Sequence, residues 1–138
     1  MYTPLEGQIA IVTGAGSGIG RAIAQKLARQ GASVAVTDLI EETAKETLAS
    51  LETPVEGQEH RAYQLNVIDR PQMDQVFAQI NDDFGKGQID ILINNAGVSS
   101  IAPYPELTEK EWDDNMDINC KSQFFGMQAI FQIGRAHV

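Results

Sequence analysis

The stretch Thr13-Gly14-Ala15-Gly16-Ser17-Gly18-Ile19-Gly20 carries the first chemistry readable in this chain. Gly14, Gly18 and Gly20 form a T-G-x-x-x-G-I-G pattern. A strict G-x-G-x-x-G register is absent, because Ile19 and Arg21 fall where its final glycine is required. Glycine lets a backbone turn tightly and come close to a ligand. A helix opening directly behind such a turn presents N–H groups and a positive dipole end to an anion. The chemistry on offer is therefore phosphate binding, at Gly14, Ser17, Gly18, Ile19 and Gly20. A second candidate is Asp38, eighteen residues beyond Gly20. A carboxylate there can accept hydrogen bonds from two ribose hydroxyls, each contributing about 1.5–3 kcal/mol. The same charge repels a 2′-phosphate.

These groups need strands and helices to hold them. Residues 8–12, Gln-Ile-Ala-Ile-Val, read as a β-strand leading into the glycines. Ile19, Ile23 and Leu27 recur at a spacing of four and predict a helix behind them. Residues 33–37 predict a second strand ending at Asp38. Residues 41–51 predict a helix with Ala44, Leu48 and Leu51 on one face and an acidic start that suits its dipole. A loop marked by Pro54 and Gly57 leads to a third strand over 61–65. Asp69-Arg70-Pro71-Gln72 has the form of a helix start. Met73, Val76, Phe77, Ile80 and Phe84 then make a core stripe that Gly85 and Gly87 end. Residues 89–93 predict a fourth strand, apolar enough for a central strand with both faces covered, but with its outer edge expected to lie unpaired here. Thr108-Glu109-Lys110-Glu111 is a capping box opening a helix to about Phe131, interrupted near Asn119.

The pattern resembles the short-chain dehydrogenase/reductase family. The resemblance rests on T-G-x-x-x-G-I-G, on Asn94-Asn95-Ala96-Gly97 closing the fourth strand, and on the segment 119–129. It implies an α/β fold, a Rossmann-type doubly wound parallel sheet, truncated, with strand order 3-2-1-4. It implies NAD or NADP as cofactor. Asp38, with Ser17 and Leu39 where NADP binders of the family often carry Lys or Arg, favours NAD. Asn66-Val67 stands where the family contacts the adenine, usually with Asp-Val. Asn95, Ala96 and Gly97 brace the backbone and let the adenosine half pass. Asn119 matches the active-site Asn that holds a water toward the catalytic Lys. The expected partner is a small-molecule alcohol or carbonyl, acted on by hydride transfer in a parent enzyme that is a homotetramer or homodimer.

The family's Tyr-x-x-x-Lys pair is missing. Tyr2, Tyr63 and Tyr104 are followed four residues later by Glu6, Val67 and Thr108. The catalytic Ser and the later strands have no counterpart either. Residues 1–132 therefore read as the N-terminal part of a dinucleotide-binding domain. Residues 133–138, Ile-Gly-Arg-Ala-His-Val, are what the bases ATC GGA AGA GCA CAC GTC of a common short-read sequencing adaptor encode. The expectation is a non-native tail, with Gly134 breaking the helix. The reading that competes with the enzyme is a nucleotide-binding half-domain without catalysis.

Composition narrows the field. The net charge of −9 argues against nucleic acid or an anionic membrane as partner. No apolar run approaches membrane-spanning length and no basic, apolar leader precedes the first strand, so the expected location is the cytoplasm. Cys120 is the one cysteine; it is expected to pack in the core rather than act as a nucleophile, and it excludes an internal disulfide. His60 and His137 show no metal-ligand spacing.

Overall fold

The computed structural model describes residues 2–85 and 87–135. Its sheet is built on β1 (Ile9–Val12), whose four residues are all buried. An unbroken apolar run suits a parallel strand covered on both faces. β2 (Ser33–Asp38) pairs with β1 in parallel, Ile9 opposite Ser33 and Val12 opposite Val36. β3 (His60–Gln64) pairs with the far side of β2, and β4 (Ile91–Ile93) with the free side of β1. The order is β3-β2-β1-β4 and every pairing is parallel, as the glycine-turn reading implied.

Alternate strand residues face opposite layers. Val12, Val34 and Val36 point to α1 (Gly18–Arg29) and α2 (Glu41–Ala49), meeting Ala24, Ala28 and Ala44. Ile11 and Ala35 point the other way, to Met73, Phe77 and Ile80 of α3 (Arg70–Phe84) and to Ala129 of α5 (Ser122–Arg135). Helices on both faces follow from crossovers between parallel strands. Asp69 caps α3 by accepting the Gln72 N–H at 3.0 Å, and Gly85, at φ +66°, ends it. The capping box of α4 (Glu109–Met116) forms as read: Thr108 accepts the Glu111 N–H, and the Glu111 carboxylate accepts the Thr108 N–H. No helix among the described residues is long and apolar enough to cross a membrane.

Three details differ from the sequence reading. β4 begins at Ile91, not Ile89, because Asp90 is spent on β1: its carboxylate accepts the Ile9 N–H and its own N–H donates to the Ile9 carbonyl, both at 2.9 Å. β4 is half-buried at the end of the sheet, where the truncated order 3-2-1-4 places it. Cys120 is exposed, not packed. It sits in a π-helical turn, Asp117–Lys121, whose wider winding shifts the side chains around the axis. Finally, α5 continues to Arg135, past the expected stop near Phe131. One glycine costs a helix only about 1 kcal/mol relative to alanine. Residues 136–138 of the expected tail lie outside the described residues.

Candidate nucleotide-binding site

The glycine turn leaves β1 at Thr13 and is fixed to β2 by the Ala15 N–H, which donates to the Thr37 carbonyl at 2.9 Å. Gly14 (φ +60°) and Gly18 (φ +54°) adopt left-handed backbone that disfavours any side chain. The two differ in surroundings. A Cβ on Gly14 would lie 2.8 Å from the Ala96 Cα, whereas a Cβ on Gly18 would meet nothing within 4 Å. Gly14 thus lets two chain segments touch, and Gly18 opens onto free space. Gly20 is needed for contact too: a Cβ there would strike the Gly14 carbonyl and the Asn95 amide. α1 starts at Gly18 with an extended Ser17 as N-cap, no side-chain cap bond and no acidic residue in its first turn. No carboxylate of its own first turn therefore competes for its N–H groups and dipole.

The second wall is the exit of β4. The buried Thr13 hydroxyl accepts the N–H groups of Asn95 and Ala96, each at 3.0 Å. The Asn95 amide donates back to the carbonyls of Thr13 and Gly14, each at 3.1 Å. These bonds lock the glycine turn to Asn95-Ala96-Gly97. Asn119 fixes the continuation. Its Oδ1 accepts the Val98 N–H and its Nδ2 donates to the Val98 carbonyl, both at 2.7 Å. The side chain thereby pairs with backbone as a strand would, from the π-helical turn. Gly126 on α5 allows the helix to lie close, since a Cβ there would come within 2.8 Å of Asn94 Oδ1.

The third wall comes from the ends of β2 and β3. The Asp38 carboxylate accepts from the Gly16 N–H and the Thr43 hydroxyl. The Asn66 carboxamide oxygen accepts the Ile68 N–H at 3.2 Å, forming a local turn, and its own N–H donates to the Gln72 side chain at 2.6 Å. Gln72 therefore reaches past the helix cap rather than completing a capping box.

The three walls enclose a cleft of about 380 Å³. Gly14, Ser17, Gly18, Ile19 and Gly20 line it from the turn, and Asp38, Leu39, Asn66 and Val67 from the strand ends. Asn95, Ala96 and Gly97 close the remaining side. Asn119 lies in the adjoining recess with Gln123. Tyr63 is elsewhere, beside His60 and Asp83. Its burial, together with the hydrogen bond it donates to Asp83 at 2.7 Å, pushes the phenol well above its ordinary pKa.

Sequence reasoning passed over several residues that build this site. Arg21 donates to the Gly16 carbonyl at 2.6 Å and to the Thr47 hydroxyl at 2.9 Å, and pairs with Glu46 at 3.3 Å. The fully buried Thr47 donates to the Ala15 carbonyl at 2.8 Å. Together they tie α2 to the underside of the glycine turn. Thr47 lies on the helix face that Ala44 marks as inward, and a hydroxyl in that position was the available signal.

A parallel doubly wound sheet with a glycine turn, an uncapped helix start and a carboxylate at the end of the adjoining strand defines the dinucleotide-binding class of α/β fold. The chain belongs to the short chain dehydrogenase family, whose model matches residues 8–135. It is 39% identical over 126 residues to D-threitol dehydrogenase of Mycolicibacterium smegmatis, covering 91% of this chain and 47% of that protein. It is 38% identical over 122 residues to 3-oxoacyl-[acyl-carrier-protein] reductase of Thermotoga maritima, covering 87% of this chain and 47% of that protein. Among solved structures, hydroxysteroid dehydrogenase from Escherichia coli superposes with a TM-score of 0.83 at 28% identity, over 94% of this chain and 53% of that one. The chain spans about half the length of the curated relatives it matches.

Proposed function

We propose that this chain is the nucleotide-binding half of an NAD-dependent oxidoreductase that interconverts an alcohol and a carbonyl. The observation carrying this reading is the cleft itself. The first turn of α1 carries no acidic residue, the position beside Gly18 is open, and Asp38 lines the same cleft from the end of β2. Bound NAD would supply the hydride acceptor. The chain's own residues bind and orient it. Gly18 and the N–H groups of α1 hold the pyrophosphate. Asp38 accepts the ribose hydroxyls, and the Asn66 amide faces the adenine with Val67 beside it. Leu39 and Ile19, 60% and 75% exposed at the rim, offer apolar surface to the base and ribose. Asn95, Ala96 and Gly97 leave room for the remainder of the adenosine half.

Proton transfer at the substrate oxygen typically contributes about 10²–10⁴-fold to such a reaction. No tyrosine here has a lysine four residues on, and the Asn119 carboxamide does not titrate. The 138 residues alone are therefore expected to bind nucleotide without turning over an alcohol, and this favours the half-domain reading for the chain as given. For the whole protein, we propose a cytoplasmic homodimer or homotetramer whose frame continues past Gln132 into a Tyr-x-x-x-Lys segment. Amplification of the source locus tests that extension, and genomic DNA encoding residues 133–138 followed by a stop refutes it.

Calorimetric titration of the chain with NAD and NADP tests the cofactor assignment. A carboxylate facing a 2′-phosphate at 4 Å costs on the order of 4 kcal/mol at an effective dielectric of 20. NAD is expected to bind more tightly, and Asp38→Ala is expected to narrow the difference. Comparable binding of the two by the unaltered chain refutes the assignment.

A further inference from the structure

Asp38 is gripped from three directions. Its Oδ1 accepts the Gly16 N–H at 3.2 Å, and its Oδ2 accepts the Ile40 N–H at 3.2 Å and the Thr43 hydroxyl at 2.8 Å. The Ile40 bond is a local turn made by the aspartate on its own chain. The other two arrive from separate elements, the glycine turn and α2. Gly16 has no positive φ, so its backbone does not require glycine. Space does. A Cβ on Gly16 would collide with the Thr43 hydroxyl and lie 2.7 Å from the Asp38 carboxylate. Gly16, Asp38 and Thr43 are thus packed as one unit, and the absence of a side chain at 16 lets its N–H reach the carboxylate.

We propose that Thr43 is a positioning residue for nucleotide discrimination: its hydroxyl pins the Asp38 carboxylate where it accepts a ribose diol and meets a 2′-phosphate head-on. The inference rests on reading Asp38 as the ribose acceptor. An aspartate free to change rotamer would swing its charge into solvent and relieve the clash with an added phosphate. The pin removes that escape. It also permits docking. The Thr43 hydroxyl carries one proton and has a second acceptor, the Ile40 carbonyl, at 2.9 Å. With the hydroxyl on Asp38, about one of the carboxylate's four lone-pair sites is still open to the ribose. Arg21, which reaches the same turn, is committed to the Gly16 carbonyl, Thr47 and Glu46.

The test compares the dissociation constants of NAD and NADP, by calorimetry, for the full 138-residue chain and three variants. Thr43→Val keeps the branched shape and removes the hydroxyl. It is expected to weaken NAD about tenfold, the lower value of a hydrogen bond to a charged group, and to tighten NADP, because the freed carboxylate can swing away from the 2′-phosphate. The NADP-to-NAD ratio therefore narrows at least about tenfold. Thr43→Ser, which restores the hydroxyl, is expected to restore the ratio. Thermal melts of both variants check that the fold is retained. Asp38→Ala separates the two layers of the argument. A ratio that narrows in Asp38→Ala but not in Thr43→Val overturns the pin and leaves the ribose reading standing. A ratio unchanged in both overturns the ribose reading and the pin with it. A loss in Thr43→Val that Thr43→Ser does not recover also overturns the pin.

Discussion

Thr13→Val is the perturbation with the most calculable consequence. Valine has nearly the shape of threonine, so packing around this 2% exposed site is preserved. What disappears is an acceptor for the N–H groups of Asn95 and Ala96, both at 3.0 Å, and a donor to the Ile93 carbonyl at a long 3.4 Å. A buried donor left without a partner costs about 1–3 kcal/mol. The Asn95 N–H keeps a second acceptor, the Ile93 carbonyl at 3.1 Å, so only the Ala96 N–H is orphaned and the loss comes to about 1–3 kcal/mol. That is a large share of the roughly 5–15 kcal/mol that holds a domain together. With a urea slope of about 1–3 kcal/mol per molar, the unfolding midpoint is expected to drop by about 0.5–1.5 M. Thr37→Val is the internal control. Its hydroxyl is equally buried but donates a single bond, to the Val12 carbonyl at 3.0 Å, and orphans no N–H, so about 1 kcal/mol is expected. Thr13→Ser keeps the acceptor and loses one buried methyl, again about 1 kcal/mol. The measurement is urea unfolding by circular dichroism at low protein concentration. If Thr13→Val unfolds within about 0.5 kcal/mol of the unaltered chain, or no earlier than Thr37→Val, the claim that this hydroxyl staples β1 to β4 is wrong.

Three further outcomes follow from the same geometry. Gly18→Val is expected to abolish nucleotide binding while the sheet survives, because the added side chain enters the open space beside the helix start; unchanged NAD affinity in a folded variant contradicts the phosphate role. Asn119→Asp replaces the donor to the Val98 carbonyl with a second acceptor, so a loss of about 1–3 kcal/mol in urea unfolding is expected, and an unmoved midpoint refutes the pairing described. His60 is held neutral: its Nδ1 accepts the Val34 N–H at 3.1 Å, so Nε2 carries the proton and donates to the Glu52 carbonyl at 2.8 Å. Burial lowers its pKa below the ordinary value, so its contribution is complete above about pH 6.5 and is lost as pH falls below that value. Urea midpoints are expected to fall between pH 7 and 5.5, and His60→Gln to flatten that slope; an equally steep slope in the variant would sink the assignment.

The parts of this fold legible in the sequence are those set by local pattern. The run Ile9-Ala10-Ile11-Val12, the glycines after it and the stripe Met73, Phe77 and Ile80 each announce their element through neighbours in the chain. Periodicity overreached only where tertiary contacts intervened. At β4, Asp90 turned from strand residue to backbone partner. Phe125 and Ile130 pack against the core, while Phe124, Met127 and Phe131 of the same helix stay exposed, a division that depends on how the π-helical turn rotates α5.

The site was legible in its outline and not in its bracing, and the reason is physical. Glycines and a terminal aspartate stand out because few other residues do what they do. The residues that brace them do not, since each acts on backbone or on a residue far along the chain. Thr13 meets N–H groups more than eighty residues away, Thr47 a carbonyl thirty-two residues away, and Asn119 a backbone twenty-one residues back. A hydroxyl or carboxamide is ambiguous in sequence because it can donate or accept almost anywhere. Only the fold chooses its partner. In this chain those choices converge on one place: Thr13 and Asn95 join the glycine turn to β4, Thr47 and Arg21 join it to α2, and Thr43 joins α2 to Asp38. Substitutions that respect hydrophobic pattern but remove one of these hydroxyls would pass unnoticed in a sequence reading and still loosen a wall of the cleft.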